Sequence, residues 1–186
     1  MAEPMLRAFI EDWSPPGPRD KAPGHFVGED EWPTPRIENF RYMLRSGMMG
    51  WLTIMIDTNN WSPEQHAEAK KEIELYKKEL RPLIRDANLY HVSARPDGVH
   101  WDGMEYWDPQ KQRGVLYAFR GMIEAKKTHS FPLSGLRSEG HYRLKFYDHS
   151  SPDRTVSGRE LMGSGVRVTL PLSNSSELIF VEKESQ

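Results

Sequence analysis

The stretch SPEQHAEAKKEIELYKKELRPLIRDANLYHV, residues 62–92, contains the change of pattern on which the fold turns. Its first part carries the local signals of a helix. Ser62 stands at the N-cap, Pro63 at the first helical position and Gln65 three residues on, a capping box with the favoured early proline. Ala69, Ile73, Tyr76, Leu80 and Leu83 recur three or four apart and form one apolar stripe. Lys70, Lys71, Glu74, Lys77, Lys78 and Glu79 line the opposite, wet side. Trp61 precedes the cap and can cover the first turn, although His66 is a weak partner for it. Pro82 kinks the helix or opens a new turn, and the helix ends by Ala87-Asn88. At Leu89-Tyr90-His91-Val92 the period changes to that of short strands broken by turns.

Downstream, the strands follow at close spacing. Pro96-Asp97-Gly98 reads as a turn, and residues 101–107 as a short strand. Asp108-Pro109 starts another turn, and GVLYAFR at 114–120 is a strong strand. A segment at 129–133 leads to Gly135-Leu136. Residues 141–147 alternate cleanly, with Tyr142, Leu144 and Phe146 on the apolar face. Residues 166–170 alternate too, and residues 177–181 make the last strand. Six or so short strands at this spacing predict an antiparallel sandwich or small barrel.

Upstream, residues 36–45 read as a short helix with Ile37, Phe40, Met43 and Leu44 at near-helical spacing. Ser46-Gly47 stops it. Residues 48–56, MMGWLTIMI, are nearly all apolar without alternation, which predicts a strand buried on both faces. The polar turn Asp57-Thr58-Asn59-Asn60 follows. Before residue 36 the chain is rich in proline, with four prolines and two glycines between Trp13 and Phe26. That composition favours an extended segment poor in regular hydrogen bonding. It reads as a long ordered loop or as a linker from a longer polypeptide.

Composition limits the function. The formal net charge of −2 builds no positive field, so neither nucleic acid nor an anionic membrane is an expected partner. Cysteine is absent, which excludes disulfides, thiolate metal sites and cysteine nucleophiles. The first ten residues do not read as a signal peptide, and no apolar run is long enough to span a membrane. There is no GxGxxG, phosphate loop, HExxH or GxSxG pattern, so no cofactor and no metal are expected. The histidines are scattered; His91, His100 and Asp102 are the nearest approach to a ligand group.

Three groups of residues are candidates for sugar chemistry. Asp57 and Asn59 sit where an apparent parallel strand hands over to a helix, the edge at which barrel enzymes bind substrate, with Trp61 as a stacking ring. Ordinary turn chemistry explains the same Asp and Asn. Trp101, Tyr106 and Trp107, with Asp102 and Glu105, offer either a sugar platform or a seam between two structural units. Glu29, Asp30 and Glu31 supply carboxyls, but neighbours in one loop seldom oppose each other across a sugar ring, so a solvated loop is expected.

Five pieces, in order, carry a likeness to a known family: RYMLRSGMMGW at 41–51, the helix and short strand at 62–92, GVLYAFRG at 114–121, LSGLRSEGHYRL at 133–144 and SGRELMGSGVRVTLP at 157–171. Together they resemble the C-terminal part of glycoside hydrolase family 36, the α-galactosidase (melibiase-type) group. The resemblance implies a mixed fold: the last strand–helix unit of a (β/α)8 barrel within residues 1–88, with its Pro-rich loop, then a C-terminal antiparallel β-sandwich over 89–186. It implies descent from retaining enzymes that use two aspartates, both on barrel strands earlier than anything matched here. No catalytic residue is therefore carried onto this chain; Asp57 follows the apparent eighth strand but matches neither motif. Related enzymes include α-galactosidases, α-N-acetylgalactosaminidases and galactosyl-transferring relatives.

One strand and its helix cannot close a barrel, because closure pairs every strand around the ring. The expected partner is thus the missing barrel portion of the enzyme or a second copy of this chain, with a carbohydrate as the expected ligand. The alternative is a stand-alone carbohydrate-binding or structural sandwich.

Overall fold

A computed structural model describes residues 36–50, 52–54, 58–97 and 99–184. Its centre is a six-stranded sheet, antiparallel at every pairing, in the order β1-β2-β3-β8-β5-β6. These strands are β1 Asn88–His91, β2 Trp101–Asp108, β3 Arg113–Arg120, β5 His141–Phe146, β6 Arg154–Ser157 and β8 Ser175–Lys183. A second sheet pairs β4 Thr128–Phe131 with β7 Val166–Thr169. Every described strand pairs antiparallel, and most of the helical residues precede the first strand.

The large sheet is covered differently on its two faces. One face packs against the small sheet: Trp107, Leu116, Tyr142, Leu144, Phe146, Ile179 and Val181 meet Phe131, Leu133, Val166 and Val168 in one core. The other face lies under the helices. Met104, Tyr106, Val115, Tyr117, Phe119 and Leu178 meet Phe40, Tyr42 and Leu44 of α1 (Ile37–Gly47) and Ala69 and Leu75 of α2 (Pro63–Leu75). Strand β3 is buried on both sides, which is why VLYAF at 115–119 is apolar without a break. Strand β5 has only one face in the core, so it alternates exposed and buried along its whole length.

The helix at 62–86 forms as its local signals predict. Ser62 Oγ accepts from Gln65 N at 3.1 Å, and Gln65 Oε1 accepts from Ser62 N at 2.8 Å. After α2 the chain runs through a π turn, Tyr76–Leu80, into the short helix α3, Arg81–Ile84. Pro82 gives the reason. It has no N–H for a helical bond, and its ring clashes with the carbonyl four residues back. The wider turn just before it absorbs that conflict without ending the helix. We predict that Ser62→Ala costs about 1 kcal/mol, read as a lower urea midpoint with an unchanged slope.

Residues 48–56 correct the sequence reading. Among the described residues of that stretch none joins a sheet; residues 51 and 55–57 lie outside the described set. Met48 and Met49 are buried, but their backbone is satisfied in another way. Tyr106 Oη donates to the Met49 carbonyl at 2.5 Å, Tyr117 Oη to that of Met48 at 3.4 Å, and Tyr76 Oη to that of Gly50 at 2.6 Å. An apolar run is buried either as a ladder or as irregular chain whose carbonyls find side-chain donors. Three tyrosines, remote in sequence, choose the second for residues 48–50. Strand β6 and the helix α4, Gly158–Gly163, capped by Ser157 Oγ on Glu160 N at 3.2 Å, also escaped the sequence reading.

Candidate functional site

A buried ion-pair network lies where the helices meet the sheet. Arg45, on α1, is fully buried. Its Nε donates to Glu72 Oε2 at 2.9 Å and its Nη2 to Glu72 Oε1 at 2.8 Å, a bidentate pair with α2. Its Nη1 pairs with Asp148, just beyond β5. Burial alone would lower the Arg45 pKa; Glu72 and Asp148 outweigh it and hold it above its ordinary value. Burial likewise works to raise Asp148, and the hydrogen bond from Arg45 prevails to hold it below the usual carboxylate range. One guanidinium thus ties two helices to the end of a strand.

Glu177 and Glu105 are among the further acids buried in the sheet. Glu177 on β8 accepts from the backbone N–H groups of Asp148 at 2.9 Å and Ser150 at 3.1 Å, and burial raises its pKa. Glu105 on β2 accepts from Ser134 N at 2.6 Å through one oxygen; the other has no partner among the described residues. Burial pushes Glu105 up to about 8. Both hold loops in place. Sequence alone offered one clue to them, an acidic residue inside an otherwise strand-like segment.

An open groove of about 1090 Å³ lies at the end of the sheet formed by the start of β5 and the end of β8. Its lining includes Lys111, Arg137, His141, Arg143, Glu182 and Glu184. Glu139, also on its wall, is engaged by Arg159 at 2.5 Å, which lowers its pKa. A glycosidase acid needs the opposite shift, held up by an apolar pocket.

Among the described residues, those singled out for sugar contact are not brought together. Asp57 lies outside the described residues, as do Glu29, Asp30 and Glu31. Asn59 is exposed in the single turn Thr58–Asn60. Trp61 is half-buried, edge-on to Phe40 at 5.1 Å between ring centres and near His66 at 5.5 Å. Trp101 and Trp107 require correction as platform residues, since they are 5% and 1% exposed. Both point between the two sheets, where their apolar area is worth most. The Trp101 indole donates to the Lys126 carbonyl at 2.7 Å, and Trp107 packs edge-on against Tyr142 at 5.6 Å. Of that aromatic group only Tyr106 faces the helices. His100 is taken up by Asp97 at 2.6 Å, and His91 is exposed on β1. Among the described residues no three His, Asp or Glu side chains gather as a metal group.

No family model matches the chain, and no curated protein matches it. Solved structures do. The galactosidase domain of an alpha-galactosidase-sucrose kinase, AgaSK, aligns over 82% of this chain and 21% of its own, with a TM-score of 0.68 and 19% identity. The alpha-galactosidase from Lactobacillus brevis aligns over 77% and 20%, with a TM-score of 0.62 and 19% identity. The GH36 alpha-galactosidase AgaB from Geobacillus stearothermophilus aligns over 76% and 19%, with a TM-score of 0.60 and 19% identity. This chain spans about a fifth of the length of each. The resemblance carried by the five sequence pieces is therefore met in three dimensions, and the chain has the fold of about one fifth of a GH36 α-galactosidase.

Proposed function

We propose that this chain serves as the C-terminal region of a retaining, α-galactosidase-like glycoside hydrolase and is not catalytic alone. The observation that carries this reading is the asymmetry of the likeness: four-fifths of this chain against one fifth of the galactosidases. On this reading the helical layer, residues 36–86, is the end of a (β/α)8 barrel, and the sheets from residue 88 onward form the accessory sandwich behind it. Its partner is the portion carrying the barrel and its two aspartates. The sandwich then contributes packing to the finished enzyme, and the sugar is held elsewhere. Burial of Trp101 and Trp107 argues against the alternative of a free-standing sugar-binding module, which needs exposed ring faces.

The test is complementation. The purified chain is assayed on an aryl α-galactoside alone, then after mixing with a GH36 α-galactosidase that lacks its own C-terminal fifth. The expected result is no turnover above background alone, and a rise of at least tenfold over the truncated enzyme in the mixture. Turnover by the chain alone overturns the proposal. Saturable galactose binding by calorimetry, with no complementation, replaces it with the binding-module reading.

A further inference from the structure

Four segments build the open groove at the end of the large sheet: the β2–β3 turn, the turn at 137–140, the start of β5 and the end of β8. Hydrogen bonds lock them to one another. Lys183 N donates to the Gln112 carbonyl at 2.9 Å, Glu184 N to that of His141 at 2.9 Å and Gly140 N to that of Arg137 at 3.0 Å. Arg137 N donates to Tyr142 Oη at 2.8 Å. The walls are therefore formed in advance, which lowers the ordering cost of filling them. The volume of about 1090 Å³ stands at the top of the range for small-molecule sites, room for an oligomer rather than a single ring.

Some charges in the groove are used within the protein. Lys111 pairs with Asp86 and Asp108, each at 3.1 Å, and Glu139 with Arg159. Others are not used. Among the described residues Arg137 and Lys183 make no ion pair, and Arg143 meets Asp153 only at 4.0 Å. Two acids stand beside these cations. Glu182 is the cross-strand partner of Arg143, and Glu184 accepts from Thr155 Oγ1 at 2.7 Å. No apolar side chain lines the groove among the described residues.

This mixture selects a ligand class. Guanidinium and ammonium groups take a carboxylate or phosphate, arginine bidentately. Carboxylates accept from hydroxyl groups. A phosphate backbone uses the cations but is repelled by Glu182 and Glu184. A neutral sugar uses the acids and leaves the cations idle. A sugar that carries its own carboxylate satisfies both sets.

We propose that this groove binds an acidic oligosaccharide of the uronate type, with Arg137, Arg143 and Lys183 on its carboxylates and Glu182 and Glu184 accepting from its hydroxyls. The site goes beyond the enzymatic reading and does not rest on it. Recognition by charge and by hydroxyl acceptors needs no stacking ring, so the burial of Trp101 and Trp107 does not oppose it.

The test is calorimetry on the full chain at low ionic strength, with trigalacturonate, its neutral counterpart galactotriose, and triglutamate, which has carboxylates but no hydroxyls. The expected result is saturable binding of trigalacturonate, at least tenfold tighter than either control and weakened by added salt. Arg137→Gln with Lys183→Gln should weaken it at least tenfold at an unchanged melting temperature. Lys126→Gln with Lys127→Gln, beyond the opposite end of β3, should leave it within twofold. Failure of trigalacturonate to bind overturns the proposal, as does equal binding of galactotriose. Equal binding of triglutamate reduces the groove to a general anion site and overturns it too. An equal loss in both double variants overturns it in favour of non-specific charge attraction. Each of these outcomes is independent of complementation, so the two readings fail separately.

Discussion

Between about pH 4.5 and pH 8, Glu105 alone should withdraw roughly 3–5 kcal/mol of folding stability. The direction follows from its place on β2 between the sheets. Its carboxyl is raised to about 8 in the folded chain by burial, against a single N–H from Ser134. An acid raised on folding is bound more readily by protons in the native state than in the unfolded one. Its contribution is fully present below the unfolded value, near 4.5, and is lost as pH rises through the folded value. Glu177 is raised by burial as well and adds to the same alkaline fall. Asp148 and Glu68 are lowered by arginine partners, so they act in the other direction and weaken the fold only in acid.

Glu105→Gln isolates the effect. The amide oxygen can still accept from Ser134. The new N–H group meets the same lack of an acceptor that the protonated carboxyl's O–H already meets, so stability at pH 5 changes little. At pH 9 the variant should exceed the parent by a few kcal/mol. Urea titrations at five pH values, run on both proteins, measure this directly. Parallel curves for parent and variant would show that Glu105 does not titrate in the window.

The second large effect is expected at the Arg45 ion pair. Arg45→Met leaves Glu72, itself fully buried, without its bidentate partner. Breaking one side of a buried pair costs about 3–5 kcal/mol, or about 8–15 °C of melting temperature in a chain of this size. Removing both partners is a different matter. Arg45→Met with Glu72→Met replaces two desolvated charges by packed apolar groups, which is often neutral. The double variant should therefore melt well above the single one, and the coupling between the two positions should exceed 2 kcal/mol, larger than a surface pair provides. Additive losses would mean that the pair is solvated in the folded state. Asp148 keeps part of its exposure, so its loss of Arg45 matters less.

Local signals in the sequence were sufficient wherever the physics is local. The capping box at Ser62 and Gln65, the stripe from Ala69 to Leu83 and the alternation of Tyr142, Leu144 and Phe146 depend on neighbours within a turn or along one strand. They determined a helix and strands, and they reappear with nearly the same bounds. The family likeness lay in the order of several such pieces. What the chain could not reveal by itself is which surfaces meet. The apolar run at 48–56 is compatible with a strand or with buried irregular chain, because hydrophobicity does not state where backbone carbonyls find donors. For residues 48–50, Tyr76, Tyr106 and Tyr117, up to 69 residues away, decide that. Trp101 and Trp107 look the same in sequence whether they form a platform or a core. Only the closure of the small sheet over β2 buries them. Acids such as Glu72 and Glu177 read as ordinary polar positions until the elements pack, since desolvation and ion pairing exist only once a second layer has excluded water.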